Sequence, residues 1–234
     1  MSKKILSALL VGTVLSISTV AHSASTDVFL GADVAHNSWF AYVGGVSALQ
    51  GQDIATQSGF LARLAGGYGQ YHYNRPGTSS VDGDVGDGNL MVGYGSPFSG
   101  GHVAAYIGGD WTDHHLSPND PLNKARGTRG GVKGQLEFTF SPMDHITGGA
   151  MGSYSTAFQS YWSRVNVGYN FGSVTVGPEI GFNGDKSYDE IRYGAQLGDI
   201  DLGFATTSIH GGYVNSNRHG GDGAYGAVGF SRRF

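Results

Sequence analysis

The last eleven residues, Ala224-Tyr225-Gly226-Ala227-Val228-Gly229-Phe230-Ser231-Arg232-Arg233-Phe234, constrain the fold more than any other stretch. Ala224, Gly226, Val228, Phe230 and Phe234 fall on one face, and Tyr225, Ala227, Gly229, Ser231 and Arg233 on the other. That is the period of two of a β-strand. In an open sheet a final strand of this kind is an edge with unpaired backbone groups. In a barrel it pairs with the first strand and both edges disappear. A closed all-β barrel is therefore the first expectation, with an edge strand of a soluble sheet as the alternative.

The other terminus predicts export. Lys3 and Lys4 precede an apolar run over residues 5–20, and Ala21-His22-Ser23 has the small-x-small form of a cleavage site. Cleavage after Ala21 or Ala24 also fits. The run is too short and too rich in Ser and Thr for a membrane anchor. Residues 1–24 are thus read as a signal peptide and 25–234 as one barrel domain. Against that background the ending resembles the C-terminal signature of bacterial outer-membrane barrels, a final Phe preceded by apolar residues at alternate positions. Arg232 departs from it, standing where an aromatic is usual.

Charge and composition narrow the class. Without Lys3 and Lys4 the 14 basic residues fall to 12 against 18 acidic ones, a net charge of −6 that argues against nucleic acid as a partner. There is no Cys, so no disulfide supports the exported fold. Charged residues are only 14%, while 41 of 234 residues are Gly and 12% are aromatic. This suits a sheet whose outer face meets lipid and whose curvature needs residues without side chains. After the signal no apolar run is long enough for a membrane helix, so a membrane-spanning form has to be a barrel.

About twelve strands are expected, near 28–35, 38–49, 58–74, 88–96, 101–111, 128–140, 145–155, 159–171, 174–183, 187–198, 201–214 and 223–234. With a periplasmic N-terminus, the stretches 75–87, 112–127 and 215–222 become long external loops. The turns at 142–144, 172–173 and 199–200 become short periplasmic ones, which is the asymmetry of outer-membrane barrels. The turn at 50–57 is too long for that rule.

Several strands separate an apolar from a polar face. Val165, Val167, Tyr169 and Phe171 oppose Arg164, Asn166 and Asn170. Leu136, Phe138 and Phe140 oppose Lys133, Gln135, Glu137 and Thr139. Val176, Ile180 and Phe182 oppose Thr175 and Glu179, and Ile191, Tyr193, Ala195 and Leu197 oppose Glu190, Arg192 and Gln196. The strands at 38–49 and 201–214 give no clear phase. A soluble protein would turn the charged face to water. In a membrane barrel a charge on the lipid face near the midplane costs about 2–4 kcal/mol, so the assignment inverts. Arg63, Lys133, Glu137, Arg164, Glu179, Glu190 and Arg192 are then predicted to line the lumen as a polar network, with Arg164 and Arg192 paired to Glu137, Glu179 or Glu190. Trp39, Phe40, Tyr68, Tyr71, Tyr73, Trp111, Tyr154, Phe158, Tyr161 and Trp162 lie near strand ends and are expected to form the interfacial girdles. Tyr71, Tyr106 and Trp162 become stacking surfaces for a saccharide if they face inward.

No catalytic or metal site is expected. The stretch 82–89, Asp-Gly-Asp-Val-Gly-Asp-Gly-Asn, has the composition of a calcium loop without the oxygen spacing or the closing Glu, and reads as a solvated loop. Asp110, Asp113, His114 and His115 read the same way, because adjacent His on a strand point to opposite faces. His219 and Asp222 carry no stronger signal. No Gly-x-Ser-x-Gly elbow is present, nor is the His-x-Ser-Asn-Gly pattern of twelve-stranded outer-membrane phospholipases. His102 is a lone lumen histidine, and no cofactor is implied.

A family likeness rests on five pieces in order: Gly66-Gly67-Tyr68-Gly69-Gln70-Tyr71-His72-Tyr73, Tyr161-Trp162-Ser163-Arg164, Gly177-Pro178-Glu179, Tyr188-Asp189-Glu190-Ile191-Arg192-Tyr193-Gly194 and Asp222-Gly223-Ala224-Tyr225-Gly226. Together they resemble the BcsS family, over about residues 28–234. The resemblance implies an outer-membrane protein of a Gram-negative bacterium, accessory to cellulose or exopolysaccharide production or export, and not an enzyme. Its expected partners are outer-membrane lipid, the barrel-assembly machinery through the strand ending at Phe234, and exopolysaccharide with the cellulose secretion components. A scaffold barrel docking periplasmic partners through the 50–57 turn is the alternative. An outer-membrane lipid hydrolase is a further one, and it would need a convergent Ser/His/acid set.

Overall fold

The structure, a computed structural model, describes residues 25–74, 80–217 and 221–234; the expected signal at 1–24 and His219 lie outside them. Twelve strands run in chain order: β1 Thr26–Ala35, β2 Ser38–Ala48, β3 Gly59–Tyr73, β4 Val81–Phe98, β5 Gly101–Ser117 and β6 Gly127–Met143. The second half is β7 Ile146–Ser155, β8 Tyr161–Asn170, β9 Thr175–Asp185, β10 Tyr188–Asp201, β11 Thr206–Ser216 and β12 Gly223–Arg233. Every strand pairs antiparallel with its sequence neighbours, and β12 pairs with β1 to close the barrel. At the seam Thr26 and Phe234 exchange both backbone hydrogen bonds, at 3.1 and 2.9 Å.

The faces follow the inverted pattern of a membrane barrel. Leu64 and Leu90, opposed in register, are 64% and 63% exposed, and Val165, Val167 and Phe138 also point out. Arg164, Glu179 and Arg192 are withdrawn from solvent on the inner phase. At the seam Phe230 opposes exposed Leu30 on the outer phase. Arg233, on the inner phase, makes a bidentate pair with Asp27, at 2.7 Å for each bond. The unexpected Arg232 lies against the terminal ring, its guanidinium carbon 5.0 Å from the Phe234 centroid.

Several boundaries differ from expectation. Strand β4 begins at Val81 and β5 ends at Ser117, so most of 82–87 and 112–117 is paired strand and not external loop. The Asp/Gly composition of this stretch hides an alternation: Val81, Gly83 and Val85 point in, and Asp82 and Asp84 point out. Strands of 15, 18, 17 and 17 residues in β3–β6 exceed the roughly 9–11 that cross a bilayer. One side of the wall therefore rises past the lipid. The turn expected at 199–200 lies inside β10, where a bulge between Leu197 and Ile200 shifts the register and Asp199 takes φ +58°. The chain reverses at 202–205 instead, with Gly203 at φ +81°, a conformation that suits glycine. Loop lengths alternate only in part, because the connections at 36–37 and 186–187, at the end away from the termini, are two residues each.

The expected girdle also divides. Trp39, Tyr68, Trp111 and Tyr154 point outward, and Trp39 and Tyr68 meet edge to face at 5.8 Å. Phe40, Tyr71, Tyr73, Phe158 and Trp162 turn inward or are buried. Tyr71, Tyr73, Val81 and Leu116 form a small core inside the raised wall, with Val85 against it. A second apolar cluster fills the terminus-bearing end: Val46, Ala48, Leu61, Met91, Ala104 and Tyr106, with Ile54 from the 49–58 connection folded into it.

Candidate functional site in the barrel lumen

The inner phase of β8–β12 and β1 carries a connected set of charged and hydrogen-bonding side chains. Glu179, its side chain 3% exposed, accepts from the Tyr225 hydroxyl at 2.6 Å and pairs with His210 Nδ1 at 2.6 Å. A carboxylate only accepts, so Nδ1 carries the proton. The other ring nitrogen, Nε2, meets Ser208 Oγ at 3.1 Å and Arg164 Nη1 at 3.4 Å. Arg164 Nε stands 3.8 Å from Glu179, and its guanidinium lies over the Trp162 ring at 5.3 Å. A second group is centred on Arg192, which donates to Glu190 at 2.8 Å and across the wall to Asp33 at 2.6 Å, with Tyr225 beneath it.

Across the barrel, Arg63 reaches Glu137 at 4.0 Å and covers the Phe29 ring at 4.6 Å. These residues lie on β3 and β6, which do not touch as strands, so their side chains meet through the interior. Of the seven residues singled out from sequence, six fall into these three groups. Arg164 pairs with Glu179 and Arg192 with Glu190. Lys133 lies on the inner phase opposite Ser155 and makes no ion pair among the described residues. Of the three aromatics, Trp162 lines the space beside Arg164. Tyr106 is instead in the apolar cluster at the terminus end, and Tyr71 is under the raised wall, bonded to His114 at 3.0 Å. Tyr106 and Tyr71 are each largely covered.

Ser208 and His210, on β11, are the members of this network that the sequence pattern hides, for a definable reason. Apolar Leu202 and Phe204 belong to a turn, and Val214 is fully buried on the inner phase of β11. The apparent alternation over 201–214 is therefore broken at both ends. Read from Thr206 onward, Ser208, His210 and Gly212 against Ile209, Gly211 and Tyr213 is legible.

Ser208, His210 and Glu179 form the Ser/His/acid series that a hydrolase would need. Two features set it apart from a working triad. Arg164 shares the Nε2 lone pair with Ser208. The set also faces the lumen, whereas a phospholipid meets the outer wall. His102 Nε2 is buried without a protein partner among the described residues. Among those residues no group of three or more His, Asp or Glu is placed to hold a metal ion.

Comparison with known proteins matches residues 28–234 to a family model described as cellulose biosynthesis protein BcsS. No curated protein matches the sequence. Among solved structures, the β domain of the Bordetella autotransporter BrkA aligns over 90% of this chain and 98% of its own, at 12% identity and TM-score 0.52. The KdgM porin aligns over 89% and 99%, at 10% identity and TM-score 0.46. The transport unit of the Escherichia coli autotransporter AIDA-I aligns over 93% and 92%, at 9% identity and TM-score 0.44. At such identities the BrkA likeness speaks to the fold alone, a closed barrel of outer-membrane type.

Proposed function

Because this chain belongs to the BcsS family of cellulose biosynthesis proteins, we propose that it is an outer-membrane barrel that conducts saccharide during cellulose or exopolysaccharide export. In this reading residues 1–24 are removed as an export signal. The termini lie in the periplasm, the strand ending at Phe234 addresses the barrel-assembly machinery, and the raised wall of β3–β6 stands outside the cell. The role is non-enzymatic, and its partners are outer-membrane lipid, the exported polymer and the cellulose secretion components.

The observation that supports a conduit over a filled barrel is Tyr42. It opposes Gly31 on the inner phase yet is 37% exposed. Met151, opposite Glu137 and Arg164, is likewise 36% exposed. Free surface therefore exists inside the wall, beside hydrogen-bonding groups and the Trp162 ring. Polar groups with an aromatic face are what a sugar needs, hydrogen bonds for hydroxyls and an apolar plane for its C–H face. Arg63, Lys133, Glu137, Arg164, Glu179, Glu190 and Arg192 would line this path, with Trp162 as its stacking surface.

A second reading, a scaffold with a sealed lumen, is favoured by one observation. Gln52 and Ile54 from the 49–58 connection are buried at the terminus end, where Gln52 Nε2 donates to Phe60 O at 2.8 Å. Planar-bilayer recording of the native barrel and of a form with a shortened 49–58 connection separates the two. A conduit shows low conductance that rises when the connection is shortened, and its deletion strain loses extracellular cellulose. Zero conductance in both forms, with loss of a periplasmic partner in pull-downs of the shortened one, refutes the conduit and leaves the scaffold.

A further inference from the structure

The end of the barrel away from the termini carries a feature that the lumen does not explain. Lys124, Arg126, Arg129 and Lys186, with Pro121 and Asn123, surround an open basin of about 370 Å³. That volume lies at the small end of the range for ligand sites. Four of the 12 cations of the processed chain meet here, although that chain is net acidic. All four are exposed, and among the described residues none pairs with a carboxylate.

The neighbouring acids are engaged elsewhere. Asp120 accepts from the Tyr73 hydroxyl at 2.8 Å and from Leu122 N at 3.1 Å. Asp185 accepts from Ser187 N at 2.6 Å, and Asp189 from the Tyr161 hydroxyl at 2.7 Å. The carboxylates brace the frame and leave the cations uncompensated.

The frame is fixed. Ser187 Oγ donates to Asn123 Oδ1 at 2.6 Å, Ala125 N donates to Ser187 Oγ at 3.0 Å, and Asn123 Nδ2 donates to Tyr73 at 3.0 Å. These bonds tie the 118–126 connection to the 186–187 turn, more than 60 residues away. Lys186 N donates to Phe158 O at 3.0 Å, and the Arg129 guanidinium sits 5.3 Å over the Phe158 ring, itself 1% exposed. Two Arg forks and two Lys ammonium groups are thus presented around one hollow at little ordering cost to the backbone. Arg129 and Lys133 lie on the same inner face of β6, with Asp110 opposite Gly131 between them, so the basin leads into a lumen of mixed charge. Lys124, Arg126 and Arg129 lie at the far end of β6, a strand longer than a bilayer crossing needs, which favours a soluble ligand over a lipid headgroup.

We propose that Lys124, Arg126, Arg129 and Lys186 form a capture site for a short saccharide carrying carboxylate, sulfate or phosphate groups. The saccharide class and the outward orientation rest on the conduit reading above; the anion preference rests on the basin alone.

The test uses the full processed barrel in detergent and two probes that differ only in charge, cellotriose and cellotriose oxidised to carboxylates at C6. The carboxylated probe binds, the neutral one binds about tenfold or more weaker, and raising salt from about 50 to 200 mM erodes the difference. The triple variant K124Q/R126Q/K186Q, altered only at exposed positions, loses about tenfold for the charged probe. Arg232→Gln, at the opposite rim, does not. Equal binding of the two probes, an unaffected triple variant, or no binding of the charged probe overturns the proposal. So does capture confined to phosphorylated lipid in nanodiscs. Bilayer recording is independent: a barrel that never conducts but loses charged-probe binding in the triple variant refutes the conduit and leaves the capture site standing.

Discussion

Replacing Glu179 with Gln tests whether the lumen network is a buried, energetically coupled unit. The substitution keeps the shape and removes the charge. The Tyr225 hydroxyl can still be accepted by the amide oxygen, but the amide NH2 then faces the protonated His210 Nδ1, donor against donor. Arg164, 3.8 Å from Glu179, loses its counter-ion while remaining mostly withdrawn from solvent. Leaving one member of a buried pair uncompensated costs about 3–5 kcal/mol, a large fraction of the roughly 5–15 kcal/mol that holds most domains folded. Asp84 is the control. It also accepts two side-chain hydrogen bonds, from Tyr68 at 2.8 Å and Gln70 at 2.7 Å, but on the exposed outer phase. There Asp84→Asn should cost no more than about 1 kcal/mol. Urea unfolding of lipid-reconstituted barrel, followed by circular dichroism under reversible conditions, measures both. Adding Arg164→Met to Glu179→Gln removes the stranded cation and should recover part of the loss, which a double-mutant cycle isolates. If Glu179→Gln falls within about 0.5 kcal/mol of the parent and Arg164→Met recovers nothing, water reaches the network freely and the reasoning fails.

Four further outcomes follow from the same geometry. In forms keeping one tryptophan each, Trp39 and Trp111 should be quenched by brominated lipid chains and Trp162 should not; quenching of Trp162 would reverse the face assignment of β8. Leu90→Arg, on the outer phase, should destabilise the reconstituted barrel by about 2–4 kcal/mol, and a change below about 1 kcal/mol would remove Leu90 from the middle of the lipid band. Asp53, in the 49–58 connection, accepts from Ala55 N at 2.7 Å and Thr56 N at 3.2 Å, and these bonds hold its pKa below the ordinary carboxylate value. A depressed folded pKa stabilises the seated turn at neutral pH and above about pH 4, and that contribution disappears as pH falls through the folded value. A spin label at Thr56 should therefore stay ordered down to about pH 4 and loosen below it. Asp53→Ala should loosen the label already at pH 7, and equal order in the two proteins at pH 7 would refute this role. Ser208 should resist fluorophosphonate labelling, because Arg164 shares the His210 lone pair; stoichiometric labelling abolished by His210→Gln would reopen the hydrolase reading.

What could be read from sequence, and what could not, divides along a physical line. Strands with one lipid face and one lumen face write their position as strict alternation. For that reason β6, β8, β9, β10 and β12 were legible, and the pairs Arg164–Glu179 and Arg192–Glu190 were anticipated. The signal fails wherever the inner phase is not polar. Phe40, Tyr42 and Val46 point inward on β2 while Trp39 and Val43 point outward, so both faces look apolar and no phase emerges. The inner side of β2–β5 supplies an apolar cluster that the 49–58 connection completes with Ile54. A length that broke the short-turn rule was the only trace of that plug in the sequence. Above the membrane the rule changes again. Asp82 and Asp84 face water on paired strand, and the Gly between them leaves room for the Tyr71 ring, so a composition that reads as loop is wall. The capture site lies beyond any local pattern, because Lys186 joins Lys124, Arg126 and Arg129 through tertiary contacts, the tie from Ser187 to Asn123 and Ala125 and the shared contact with Phe158. Periodicity reports which way a residue faces across a strand, and only closure of the barrel decides which residues from distant strands share a rim.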